Sequence, residues 1–127
     1  GLCRNYHADI IISVQVVLNM PPRHRVTFRI LDNVIVKGRS QGQKIYEVLS
    51  HLPKQQQIIK LAQEKEILTC LSLRKQKRLA EMADIASSCI ARYPTEPVFA
   101  QFLAQAEFLT RNPFHENKSG AINSPLI

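Results

Sequence analysis

The chain has 127 residues, enough for one ordinary domain or for two pieces that each need a neighbour to bury their apolar faces. Its 45% hydrophobic and 21% charged residues exclude a disordered composition, and its most apolar stretch, Ile10 to Met20, is broken by Ser13, Gln15 and Asn19, so no membrane span is expected. The formal charge of +7 fits nucleic acid, anionic lipid or a phosphorylated small molecule equally well, and selects none of them.

That charge gathers in two places: Arg23, Arg25, Arg29, Lys37, Arg39 and Lys44, then Arg74, Lys75, Lys77 and Arg78. The second group reads as a solvated face. No recognisable nucleic-acid-binding motif or aromatic platform accompanies either group, so no nucleic-acid partner is expected. The chain opens on Gly1, and Gly1 to His7 lacks the charged-then-apolar order of a secretory signal. This reads as a cut inside a longer polypeptide. Cys3, Cys70 and Cys89 are widely spaced and form no Cys-x-x-Cys pair, and the four histidines are scattered. Metal ligation and disulfides are therefore not expected, and small buried thiols in a reducing cytoplasm are.

The first half has strand chemistry. Asp9-Ile10-Ile11-Ile12 is a short β-branched run that predicts a buried strand. Ser13 is placed to cap a short helix, Val14 to Met20, which Pro21-Pro22 would stop. Arg25 to Leu31 and Val34 to Lys37 alternate apolar with polar or branched residues, as half-buried strands do. Gly38 to Gly42 carries a turn signal, and Lys44 to Leu49 alternates again. A hairpin follows, one arm ending at Lys37 and the other starting near Gln43. Helix, strand, helix, strand, strand is the order of an α+β layer.

The second half changes period. Ile58, Leu61, Ala62, Leu68 and Leu71 predict one helical stripe, Leu79, Met82, Ala83, Ala86, Cys89 and Ile90 a second, and Phe99, Phe102, Leu103, Ala106 and Leu109 a third. Breaks fall at Pro53, at Pro94 to Pro97 and at Pro113. Arg74 to Arg78 contains neither Gly nor Pro, so residues 58–92 can form one long helix or two. Residues 112–127 read as an extended or frayed tail.

Phe28-Arg29-Ile30-Leu31-Asp32-Asn33-Val34-Ile35-Val36-Lys37-Gly38-Arg39-Ser40, followed by Ile45-Tyr46-Glu47-Val48-Leu49, resembles the closing hairpin of class III adenylate and guanylate cyclases. In that family a strand of the type F-x-F-R-x-L-D-x-V-x-V-K-G-K precedes a turn and V-Y-E-V-L. Leu2 to Ser13 is similar to the family's preceding helix end and strand, L-T-K-x-Y-G-x-x-I-L-I-S, with Cys3 for Thr and His7 for Gly. Arg39 stands for the second Lys of the hairpin. The likeness covers roughly residues 1–50, contiguous and in order. Beyond it, Arg78-Leu79-Ala80-Glu81-Met82, Arg92-Tyr93-Pro94 and Glu96-Pro97-Val98-Phe99 resemble the degenerate tetratricopeptide-like tail of many bacterial cyclases, with Lys77 replacing the usual turn glycine.

The resemblance implies an α+β fold, with the end of a cyclase-type α/β sandwich over residues 1–50, an all-α tail over 53–111 and an extended segment over 112–127. It implies a cytoplasmic parent enzyme that makes cyclic AMP, or cyclic GMP, from the triphosphate. Such a parent works as a homodimer with Mg²⁺ or Mn²⁺ held by two aspartates. ATP is favoured over GTP because adenylate cyclases dominate the bacterial members. The family's aspartates, and the asparagine and arginine that a partner protomer supplies, precede the stretch matched here. Only the hairpin lysine is matched, as Lys37 in Val36-Lys37-Gly38, where a compact ammonium can meet a phosphate oxygen beside a permissive turn. Lys37 is the one catalytic candidate. No cofactor-binding or metal residue is assigned, and the isolated fragment is expected to be inactive. Arg39 reads as pointing outward. The acids show no paired spacing suited to a metal, and Asp32 reads as a turn residue. The competing reading is a non-catalytic module whose residues 53–111 bind a protein partner or join protomers.

Overall fold

A computed structural model of the chain describes residues 4, 6–21, 26–35, 41–112 and 121–123. Strand β1 (Ile11–Ser13) runs directly into helix α1 (Val14–Leu18), β2 (Phe28–Ile35) and β3 (Gln43–Val48) follow, and four helices come next. These are α2 (Lys54–Ala62), α3 (Glu64–Lys75), α4 (Leu79–Arg92) and α5 (Val98–Arg111); a two-residue strand, β4 (Ile122–Asn123), ends the described chain. The fold is mixed α+β.

The sheet order is β1-β3-β2-β4. β3 lies between β1 and β2 and is antiparallel to both, with Ile12 opposite Tyr46 on one side and Ile30 opposite Tyr46 on the other. Ser13 ends β1 and caps α1 in one residue: its backbone is extended and its hydroxyl accepts the Val16 N–H at 3.4 Å. The two strands expected over Arg25–Leu31 and Val34–Lys37 are one strand with a register shift between Ile30 and Asp32. A bulge at that point turns consecutive side chains to the same face and explains why the alternation looked interrupted. The Ile30 N–H, close to this shift, is taken up by the Glu64 carboxylate at 2.8 Å.

Of the extended or frayed tail expected over 112–127, Ile122–Asn123 is extended and paired, not frayed. Ile122 and Asn123 pair in parallel with Val34 and Ile35, and Ala121 and Ile122 are fully buried. Phe114, Leu126 and Ile127 lie outside the described residues. Gly42 belongs to the same corner: a Cβ there would collide with the Ala121 methyl and come within 2.7 Å of Asn33 Oδ1. Only glycine lets the start of β3 pass beneath that chain.

Residues 58–92 are neither one helix nor two. α2 stops at Gln63 and α3 at Gln76, and Lys77 takes φ 61. The Arg78 N–H reaches Leu73 O and the Lys77 N–H reaches Arg74 O, the paired bonds of a Schellman stop. The stripes of α4 and α5 face inward as expected, with Met82, Ala86 and Cys89 against Phe99, Phe102 and Leu109 in one core that also takes Leu31, Val34 and Ile45 from the sheet. Tyr93 stacks on Phe99 at 6.0 Å. The first stripe is overturned at Ile58, Leu61, Ala62 and Leu68, while Leu71 packs against the core as expected. Ile58, Leu61 and Leu68 are 59, 40 and 49% exposed, and the buried positions are Gln57, Gln63, Ile67, Cys70, Leu73 and Arg74. The reason is polar: the sheet presents buried charges to these helices, and the helices turn toward it the side chains that answer them.

Candidate functional site

The one catalytic candidate, Lys37, lies outside the described residues, as do Gly38 and Arg39. What the structure does describe is the strand pair β2 and β3, and two buried charged clusters built on it.

The first cluster is built on Arg29, which is 1% exposed. Its position on β2 directs the side chain off the sheet toward the helices. Nε donates to Glu47 Oε1 at 3.0 Å, Nη2 to Glu96 Oε1 at 2.7 Å, and Nη1 to Gln63 Oε1 at 2.9 Å and Lys60 O at 3.3 Å. Lys60 closes the ring, with its Nζ 3.2 Å from Glu47 Oε2 and 3.1 Å from Glu96 Oε1. Two cations thus balance two carboxylates, and every donor of the guanidinium fork is aimed at an acceptor, which is the condition for keeping charge in a core. Glu96 has a third duty. Its other oxygen accepts the Val98 N–H at 3.1 Å and so caps the start of α5. Burial pushes the Glu96 carboxyl upward. Arg29, Lys60 and the Val98 N–H together outweigh it and hold the group below its ordinary 4.5.

The second cluster is built on Asp32, which is fully buried. Arg74 Nη2 lies 2.7 Å from Oδ1, and the Asn33 N–H donates to the same oxygen at 2.7 Å. The Tyr6 hydroxyl donates to Oδ2, and Gln105 Nε2 donates there at 3.1 Å. Arg74 also donates to Gln105 Oε1 at 2.8 Å and to Asn33 O at 3.0 Å. Burial, and then the Asp32 charge, push the Tyr6 phenol well above its ordinary 10.0, so it stays a donor throughout the physiological range. Asp32 is therefore more than a turn residue, and Arg74 is not part of a solvated face. The remaining members of that basic group, Lys75, Lys77 and Arg78, are exposed.

Chemically these clusters are closed. Each carboxylate already faces a cation, and among the described residues no three His, Cys, Asp or Glu side chains converge as a metal site. Cys70 and Cys89 are free and buried. Burial, and then the neighbouring Cys89, push the Cys70 thiol up to about 12, so it is no nucleophile. Among the described residues, no helix is long and apolar enough to cross a membrane.

Residue types alone did not announce the clusters, although a signal was present. Arg29, Asp32 and Glu47 are three of the four charged residues of β2 and β3, the fourth being the exposed Lys44, and a buried charge persists only with a partner. They are also the R, D and E of the hairpin pattern. Comparison of the chain with known protein families, with curated proteins and with solved structures gave no match.

Proposed function

We propose that these residues are the closing segment of a class III nucleotide cyclase catalytic domain with a helical tail locked onto it, and that Lys37 contacts substrate phosphate in the intact enzyme. The parent converts ATP to cyclic AMP and pyrophosphate as a dimer, using Mg²⁺ or Mn²⁺ on aspartates outside this stretch. The fragment alone is inactive. A guanylate cyclase parent differs only in the base it accepts.

One observation carries this reading. Among the described residues, two non-glycine residues take positive φ: His7 at 52° and Lys77 at 61°. They stand at the two positions where the resembled patterns have a glycine that this chain replaces, one in the cyclase half and one in the tail. Left-handed backbone at those points is what a glycine in the pattern is for. The antiparallel pairing of β2 with β3 agrees with the hairpin of the same pattern.

The test is kinetic. In the intact parent, Lys37→Ala is expected to lower kcat by roughly two to three orders of magnitude, the loss typical of one donor to developing charge, while the dimer persists. Purified as the 127-residue chain with Mn²⁺ and ATP, the protein is expected to form no cyclic AMP. An unchanged rate in the variant ends the role of Lys37, and turnover by the fragment ends the whole reading.

A further inference from the structure

The helical stripe that the sequence sends inward and the structure sends outward needs an explanation of its own. Ile58, Ile59, Leu61 and Leu68 are 59, 51, 40 and 49% exposed, all on α2 and α3. Ile58, Leu61, Lys65, Leu68 and Ser72 recur at alternating steps of three and four, the spacing of one continuous helical seam. At Gln63, where α2 ends and α3 begins, the backbone stays right-handed (φ −85, ψ −11), and the Ile67 N–H bonds back to Gln63 O. Leu61, Glu64, Lys65, Leu68 and Leu73 line a shallow groove of about 630 Å³ along the seam.

The charge on this face is net positive, with Glu64 beside Lys65 in the groove wall. Lys54, Lys65 and Lys75 are exposed and make no ion pair with another described residue. Both carboxylates of the same helices are engaged elsewhere, Glu64 by the Ile30 N–H at 2.8 Å and Glu66 by Arg92 at 3.5 Å. Lys60 and Arg74 are spent in the buried clusters. The exposed surface of α2 and α3 thus carries an aliphatic stripe with Lys65 inside it and Lys54 and Lys75 near its ends, and its two carboxylates are half-buried.

From this we infer that α2 and α3 form a docking surface for an acidic amphipathic helix of another protein. Such a helix lays a leucine-type stripe along Ile58, Leu61 and Leu68 and sets glutamates or aspartates opposite Lys54, Lys65 and Lys75, the helix-in-groove mode with charge complementarity fixing the orientation. A second copy of this chain is the wrong occupant, because a two-fold contact of this face with itself sets lysines against lysines. A lipid surface is also a poorer fit, because the stripe has no aromatic side chain to seat at an interface. The inference does not rest on the cyclase reading; it concerns a face remote from the Lys37 turn in sequence.

The test uses the 127-residue chain and a fluorescent synthetic helix of about five turns with leucines at three/four spacing and flanking glutamates. Saturable anisotropy is expected, weakening as salt rises, with amide-exchange protection confined to residues 54–75. Leu61→Ser and Leu68→Ser, both at exposed positions, should each weaken binding at least tenfold while the circular dichroism stays the same. Lys65→Glu should shift preference toward the same peptide with lysines in place of glutamates. Three outcomes overturn the inference: equal binding of acidic and basic peptides, binding to phosphatidylserine vesicles but not to the peptide, or a dimer that Leu68→Ser dissolves.

Discussion

Arg29 on β2 and Glu96 at the start of α5 are 67 residues apart in sequence and meet at 2.7 Å, with side chains 1 and 4% exposed. Neither charge has water to fall back on, so sheet and helices cannot separate without stranding both. The hairpin half and the helical half therefore share one unfolding event, because they share counter-ions as well as apolar core.

Glu96→Ala leaves Arg29 and Lys60 facing Glu47 alone. The expected loss is about 3–5 kcal/mol, the range for removing one partner of a buried ion pair. Urea unfolding followed by circular dichroism should still show one transition at a lower midpoint. Two separate transitions would mean that the halves are independent.

Acid should reveal the same pair. The Glu96 carboxyl is held below 4.5, so the folded protein gives up a proton more readily than the unfolded chain does. Its contribution is complete above pH 4.5 and is lost as pH falls from there through the lowered folded value. Wild-type stability should decline across that window. Glu96→Gln should be less stable at neutral pH and flatter through the window; parallel acid limbs would remove Glu96 as the source.

Asp32 and Arg74 allow a cleaner measurement, because both are fully buried and the Arg74 guanidinium reaches Asp32 at 2.7 Å. Arg74→Met should cost about 3–5 kcal/mol by leaving a buried carboxylate without its cation. The double change Asp32→Asn with Arg74→Met should cost less than the two singles added. A coupling of roughly 1–3 kcal/mol is expected from a thermodynamic cycle on unfolding midpoints. Additive effects would reduce the contact to proximity.

Sequence reading was strongest where one physical term ruled. Ser13 needed only its own hydroxyl to cap α1, and the stripes of α4 and α5 follow from apolar burial alone. It failed on α2 and α3, where burial is decided by polar demand arriving from another element. Gln57 is drawn in by the carbonyl of Leu52 at 2.8 Å and Gln63 by Arg29, and Leu61 and Leu68 are turned out as a result. No periodicity within residues 54–75 could report a guanidinium on a strand more than thirty residues earlier (Gln63 and Arg29 are 34 apart). The clusters were half legible: Arg29, Asp32 and Glu47 are charges inside strands, as is the exposed Lys44, but their partners Glu96, Lys60 and Arg74 look like ordinary surface residues until the chain is folded.

Cys70 offers a direct probe of helix packing. With its thiol pushed up to about 12 by burial, almost no thiolate is present near pH 8. Iodoacetamide should leave the Cys70 peptide unmodified in the folded protein and alkylate it fully in denaturant, as read by mass spectrometry. Labelling at the rate of a free thiol would show that α3 and α4 do not cover it.

Lys77 carries the sharpest consequence of the backbone. At φ 61 its Cβ crowds the following carbonyl, a cost of about 1–2 kcal/mol that glycine avoids. Glycine in turn loosens the unfolded chain by about 0.4–1 kcal/mol. Lys77→Gly should therefore stabilise the protein by a few tenths to about 1 kcal/mol and raise the melting temperature by roughly 1–5 °C for a chain of this size. The Schellman bonds from Lys77 to Arg74 and from Arg78 to Leu73 should survive the change, because they are backbone bonds. Lys77→Val should act in the opposite direction, since a β-branched side chain tolerates that region least. If Lys77→Gly melts lower than the wild type, α3 and α4 are not joined by a left-handed stop, and the match between this turn and the glycine of the repeat pattern is lost with it.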